Sequence, residues 1–271
     1  MEKCVVPLIV TAPATAAVLA YLNARTSFWY DYMLFKSSLK VASRVLLRQR
    51  SGRLSIFYTL EEHANHPLTA KKDVIIFEGR RLTYAQLYDK ALRHGAWMRD
   101  TLGIKPKDVV AMDFENSDTF ICVWFGLWSI GAKPAFINYN LTGKPLSHCI
   151  AASNSKICLV DPAVAGCVTD EVRNELSHVQ FIFLTDDVKA QADATAPKRV
   201  PDSDLVEHDM ANLAILIYTS GTTGLPKPAV VSWAKVIAGG TFSETLLARG
   251  GDDIIYTVCY QFKVQSFPDS Q

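Results

Sequence analysis

Little in this sequence points to covalent or metal cross-linking. Its six cysteines (Cys4, Cys122, Cys149, Cys158, Cys167 and Cys259) form no C-x-x-C pair and sit mostly in apolar or strand-like surroundings. That usage excludes a disulfide framework or a zinc ribbon and suits buried free thiols in a reducing compartment. His63 and His66 stand three apart with no acidic or thiol partner spaced to complete a metal site, so they are expected at a solvated helix end, and no metal site is expected. There is no internal repeat and no low-complexity tract, which excludes solenoids and disordered tails. Net charge is nearly absent at +1, so nothing calls for nucleic acid as a partner. With 49% apolar and 20% charged residues, a chain of 271 residues is globular and long enough to bury a core.

What is present is concentrated in one stretch, Tyr218-Thr219-Ser220-Gly221-Thr222-Thr223-Gly224-Leu225-Pro226-Lys227. It follows the apolar run Leu213 to Ile217, which reads as a buried strand, and precedes a helical pattern beginning near Ser232. Glycines let the backbone turn tightly and approach a ligand closely. Successive N–H groups on such a turn form a concavity for anions, and the Ser and Thr hydroxyls add donors. Lys227 supplies a mobile positive charge suited to phosphate oxygens. These properties describe a phosphate loop. It is not a Walker A loop, because G-x-x-x-x-G-K-[ST] is missing and Lys227 is flanked by Pro226 and Pro228.

The basic residues are unevenly placed. Residues 1–53 carry Lys3, Arg25, Lys36, Lys40, Arg44, Arg48, Arg50 and Arg53 against Glu2 and Asp31, which leaves the remainder net acidic. From Cys4 to Leu22 there is no charge, and the length just reaches that of a bilayer-spanning helix, though Pro7, Pro13 and several Ala and Thr dilute it. A membrane anchor or re-entrant segment is the expectation, with a cleaved signal as the alternative. Lys36, Lys40, Arg44 and Arg48 recur every four residues along one side of a helix, with Phe35, Leu39, Ala42, Val45 and Leu46 opposite and Phe28, Trp29, Tyr30 and Tyr32 before it. Such a helix suits an anionic membrane surface, or alternatively packs on its own domain.

Beyond Ser55 strands and helices alternate. Asp73–Phe77 predicts a strand turned at Gly79. Thr83 and Gln86 form a capping box for a helix to about Leu102, which Gly103 ends. A strand at 109–114, a helix at 119–130, a strand at 156–161, a helix to about Leu176 and a strand at 180–185 follow. Residues 186–209 read as one long polar connection. The alternation implies α/β architecture, a mainly parallel sheet with flanking helices, and ligands bind such sheets at the carboxyl ends of strands.

The order of residues 218–227 resembles the nucleotide phosphate loop of the adenylate-forming enzymes. Leu82-Thr83-Tyr84, the segment Gly126 to Ala132, and Ile137-Asn138-Tyr139-Asn140-Leu141 are similar to the same fold. Asn138 to Leu141 with His148-Cys149, and Lys227-Pro228-Ala229, resemble the very-long-chain acyl-CoA synthetase and fatty-acid transport branch. The segment Ala20 to Arg25 is similar to its fungal members. The resemblance implies the N-terminal part of the adenylate-forming large domain over residues 54–258, preceded by a membrane-associating arm, 1–53. It implies ATP-dependent activation of a long or very-long-chain fatty acid through an acyl-adenylate, followed by transfer to CoA. Lys227 is the expected catalytic residue, and Thr219, Ser220, Gly221, Thr222, Thr223, Gly224 and Lys227 are expected to hold the phosphates, with Tyr218 as a packing residue. Membrane lipids are expected partners, at endoplasmic reticulum, peroxisome, lipid droplet or plasma membrane, and homo-oligomerisation is left open.

The Tyr-Gly-x-Thr-Glu segment that serves adenine and Mg²⁺ in the family has no counterpart, since the chain holds no Tyr-Gly and no Thr-Glu pair. The Mg²⁺ and CoA sites are therefore expected outside these residues. After Val258, Cys259-Tyr260-Gln261-Phe262-Lys263 replaces the family's Pro-Leu-Tyr-His helix start, so 259–271 is expected to be an aberrant or truncated tail and the chain an inactive short form. The alternative is a non-catalytic, membrane-bound protein that handles lipid or binds nucleotide.

Overall fold

The computed structural model describes residues 8–219 and 224–246. Two helices come first, α1 (Leu8–Thr26) and α2 (Phe28–Arg50), then α3 (Phe57–Asn65). A two-stranded antiparallel hairpin, β1 (Asp73–Phe77) and β2 (Arg80–Thr83), leads into α4 (Tyr84–Leu102). Alternation follows with β3 (Val109–Asp113), α5 (Asp118–Ser129), β4 (Lys133–Ile137), α6 (Gly143–Ala152), β5 (Ile157–Val160), a 3-10 turn at Pro162–Cys167, α7 (Asp170–Glu175) and β6 (Gln180–Phe183). The described part ends with α8 (Asp186–Ala194), α9 (Asp202–Leu205), β7 (Leu213–Thr219), β8 (Lys227–Ser232) and α10 (Trp233–Leu246). The six-stranded sheet runs β6-β5-β3-β4-β7-β8, parallel throughout except where β8 pairs antiparallel with β7. This is the mainly parallel α/β architecture expected.

Local chemistry sets several boundaries. The Thr83 hydroxyl accepts from the Gln86 N–H while the Gln86 side chain accepts from the Thr83 N–H, closing the predicted box. Gly103 takes the left-handed conformation that ends α4, and Ser117 caps α5. Helices α4 and α5 cross in contact at two glycines. A Cβ on Gly95 would collide with Ser129 Oγ and approach the Gly126 carbonyl to 2.8 Å, so only glycine allows that crossing.

Residues alternating along β3 serve both faces of the sheet. Val110 and Met112 join the large core under α4, α5 and α10, while Ala111 joins a second core with Cys158, Val160, Leu146 and Ile150 under α6 and α7. The Trp128 indole of α5 donates to the Ala214 carbonyl (3.1 Å), which fixes β7 against the core.

Three expectations change. Residues 186–209 are not one loop: the Thr185 hydroxyl accepts from the Val188 N–H and starts α8, with Asp186 and Asp187 favourable at its positive end. His63 is buried, tilted on the Tyr84 ring at 5.1 Å, rather than solvated. Burial lowers its pKa. Finally, the basic stripe of α2 turns inward. Lys40 Nζ and Arg44 Nη1 each lie 2.6 Å from the Glu244 carboxylate of α10, and Arg48 pairs with Glu62. Phe35, Leu39 and Leu46 stay exposed. No described helix is long and apolar enough to cross a membrane; α1 carries Pro13, Thr11 and Thr15 among small alanines.

Candidate functional site

The β7–β8 hairpin carries the expected loop at the carboxyl end of β7, next to β4. Thr219 and Lys227 are its last registered pair, so the two expected ligand residues face each other across the mouth of the turn. Both are exposed. Gly224 has φ of +103°, a conformation that side chains rarely adopt, so the turn needs glycine there. Ser220, Gly221, Thr222 and Thr223 lie outside the described residues. Of the seven expected site residues, Thr219, Gly224 and Lys227 are thus brought together.

Pro228 is tolerated in β8 because this strand forms an edge of the described sheet, where proline is admitted in sheets. The neighbouring Lys235 of α10 donates to the Val230 carbonyl (3.0 Å) and is held away from the loop mouth. Lys227 is therefore the lysine at the hairpin's open end.

Helix α6 braces the hairpin from below. The Tyr218 hydroxyl donates to the Cys149 carbonyl at 2.6 Å, and His148 Nε2 lies 3.1 Å from the Pro226 carbonyl. Burial raises the Tyr218 pKa well above the usual phenol range, in keeping with a packing residue that keeps its proton. Burial also pushes the Cys149 thiol up to about 11 and raises that of Cys158 well above the ordinary thiol value, so neither is a nucleophile at neutral pH. Cys122, Cys149 and Cys158 are buried free thiols, as the composition suggested. No role for His148 is legible from local pattern, because its partner is 78 residues away.

Among the described residues no group of three His, Cys, Asp or Glu side chains is placed to hold a metal. What the hairpin offers is hydroxyl, N–H and ammonium donors, a set suited to phosphate oxygens.

Comparisons with known proteins place the chain in a family. Residues 60–262 match the family described as AMP-binding enzyme. The very long-chain fatty acid transport protein of Saccharomyces cerevisiae is 30% identical over 219 residues, covering 78% of this chain and 31% of that protein. A protein of the same description from Cochliobolus heterostrophus is 29% identical over 260 residues, covering 93% and 39%. Long-chain fatty acid transport protein 2 of Rattus norvegicus is 30% identical over 222 residues, covering 78% and 35%. The chain thus spans about a third of the length of the curated relatives it matches. Among solved structures, a Mycobacterium tuberculosis fatty acyl CoA synthetase superposes with a TM-score of 0.60 at 24% identity, over 69% of this chain and 36% of that one. The inhibitor-bound N-terminal domain of FACL13 from the same organism gives 0.60 at 26%, over 69% and 46%.

Proposed function

The chain belongs to the AMP-binding enzyme family, and from that premise we propose that it carries the phosphate-binding part of an ATP-dependent fatty acyl-CoA ligase. The observation that supports this best is the hairpin mouth, where Lys227 and Thr219 face each other across a glycine-dependent turn. In the proposed reaction a fatty carboxylate oxygen attacks the α-phosphorus of ATP. The bond to the β-phosphate oxygen breaks, pyrophosphate leaves, and an acyl-adenylate forms. The sulfur of CoA then attacks the acyl carbon and AMP leaves. The first step brings an anion toward a polyphosphate, so charge neutralisation is the main requirement. Lys227 would meet it, with Thr219, Ser220, Thr222 and Thr223 donating to the β- and γ-phosphates and Gly221 and Gly224 allowing close approach. No residue of this chain is assigned to Mg²⁺ or CoA. Curated relatives named for very long-chain and long-chain fatty acid transport support a substrate of that class.

Titration of ATP into the purified chain tests the nucleotide reading. Lys227→Ala should weaken binding by about 1.5–3 kcal/mol, roughly 10- to 150-fold, the cost of one hydrogen bond to a charged group. Lys235→Ala should leave it unchanged, since that ammonium is already bound to the Val230 carbonyl. Equal affinities of the two variants would remove Lys227 from the site.

Residues 1–53 we propose as an arm that lies on a membrane surface. Phe28, Tyr32, Phe35, Leu39 and Leu46 follow i, i+4, i+7, i+11, i+18 and are exposed, so α2 presents one apolar ridge to the outside. With 3.6 residues per turn these positions fall within about 40° of one direction, opposite Lys40, Arg44 and Arg48. Aromatics at such a ridge suit the headgroup level. Replacing Phe28, Phe35 and Leu39 with Ser should lower co-sedimentation with phosphatidylcholine–phosphatidylserine vesicles at least roughly tenfold. Binding of the unaltered chain should survive 0.5 M salt, because apolar burial is not screened. Loss of binding in salt would instead assign it to the basic residues.

A further inference from the structure

The two bonds that α6 makes to the hairpin arise from adjacent residues and reach opposite arms of the loop. Cys149 receives the hydroxyl of Tyr218, one residue before Thr219; His148 meets Pro226, one residue before Lys227. A carbonyl oxygen can only accept, so His148 Nε2 carries the proton and donates. Pro226 stands beyond the last registered pair of the hairpin and, as a proline, has no N–H of its own to give. Helix α6 is itself immobilised, with Leu146, Cys149 and Ile150 fully buried in the core beneath the sheet. Its Ser147 hydroxyl bonds back to the Gly143 carbonyl (3.3 Å). The loop's two feet are therefore fastened to one rigid element.

We propose that His148 is a positioning residue for the phosphate loop: its Nε2–H holds the Pro226 carbonyl so that Lys227 and Thr219 stand at the mouth of the turn before nucleotide arrives. Its functional half rests on the nucleotide reading above; its structural half does not. A loop that is already placed loses less freedom when a ligand binds, so affinity is gained without a new contact to the ligand. Tyr218 fastens the inbound arm in the same way, but its ring also packs in the core, whereas His148 is only half-buried and its bond to the loop can be removed with less collateral change. Glutamine can offer an N–H donor from a side chain of similar reach, and phenylalanine keeps the ring while offering none.

Hydrogen–deuterium exchange of the full 271-residue chain tests the structural half without any ligand. In His148→Phe, amides of peptides spanning 217–229 should exchange roughly tenfold faster, the effect of one lost hydrogen bond, with His148→Gln restoring the slower rate. Peptides from α4 should be unaffected in both, which shows that the fold is intact. Tyr218→Phe, which removes only the hydroxyl, should loosen the same peptides and serves if His148→Phe does not fold. Unchanged exchange over 217–229 in His148→Phe, or in Tyr218→Phe where His148→Phe does not fold, overturns the proposal. In the second arm MgATP is titrated into the same proteins, with a roughly tenfold weaker Kd expected for His148→Phe and recovery in His148→Gln. Equal Kd values for the unaltered chain and His148→Phe overturn the functional half. Absence of ATP binding by the unaltered chain would defeat the nucleotide reading, and the exchange arm alone would then decide the brace.

Discussion

Replacing Glu207 with Gln, or Lys133 with Met, should cost about 3–5 kcal/mol of folding stability, as expected when one partner of a buried ion pair is removed. Lys133 Nζ bonds Glu207 Oε1, and both side chains are under a tenth exposed. The second carboxylate oxygen accepts from Asn212 Nδ2 at 2.8 Å, and the ammonium lies 4.9 Å from the centre of the Trp233 ring. Burial lowers the Lys133 pKa, and the Glu207 carboxylate pulls it back up. Removing one partner leaves the other charge buried without compensation, whereas removing both leaves none. Lys133→Met with Glu207→Leu should therefore recover most of the loss. Urea unfolding of the three variants measures this. A typical domain is stable by about 5–15 kcal/mol, so the single variants should be visibly crippled. A loss under about 1 kcal/mol in Glu207→Gln would show that the pair is solvated and the argument wrong.

The same pair shows why parts of the fold are illegible from sequence. Strand β4 begins Lys133-Pro134, a poor strand signature, yet all five of its residues are buried. The lysine is admissible there only because Glu207, 74 residues later, meets it. Strand β8 hides behind Pro228 in the same way, since a proline reads as a strand breaker until the strand is known to lie at an edge. By contrast the Thr83–Gln86 box and the Gly103 stop were readable because both partners lie within one turn of the helix they delimit. The periodicity of α2 placed Phe35, Leu39 and Leu46 together on its outer side, but Val45, read with them, is buried in the core, and Lys36, read with the inward basic residues, is exposed. Which side faces inward depended on Glu244, two hundred residues away, and no local pattern reports that. The candidate site divides likewise: the loop is a contiguous string whose chemistry can be read, while its brace on His148 exists only after folding.

Asp113→Leu should stabilise the chain by about 4 kcal/mol at pH 8 and by little at pH 4, the largest pH-dependent change expected of any single replacement here. Asp113 ends β3 between Ile137 of β4 and Val160 of β5, with no exposure to solvent. Neither of its carboxylate oxygens has a hydrogen-bond partner. Burial, with a smaller contribution from Asp161, pushes its pKa up to about 7. An unfolded aspartate titrates near 4, so below about pH 4 both states hold the proton and the residue imposes no ionic cost. Between about pH 4 and 7 the unfolded chain gives up its proton while the folded chain retains it. Stability then falls by about 1.4 kcal/mol per pH unit, and above about pH 7 the loss is complete. Other carboxylates act in the opposite sense. Glu61 is held below its usual range by Arg199 and Tyr88 despite burial, and Asp202 chiefly by its bond from Arg199. Both favour folding most at high pH, so the bare profile of the unaltered chain mixes the two signs. The difference between the unaltered chain and Asp113→Leu isolates the one group, because the other carboxylates are common to both. Leucine approximates the shape of aspartate and places an apolar group among Ala111, Ile137, Cys158 and Val160, so the gain is not offset by a cavity. Urea midpoints of both proteins at pH 5, 6.5 and 8 give the comparison. A gap that widens with pH is the expected result, and a gap that stays constant would mean that Asp113 is ionised and satisfied in the folded chain.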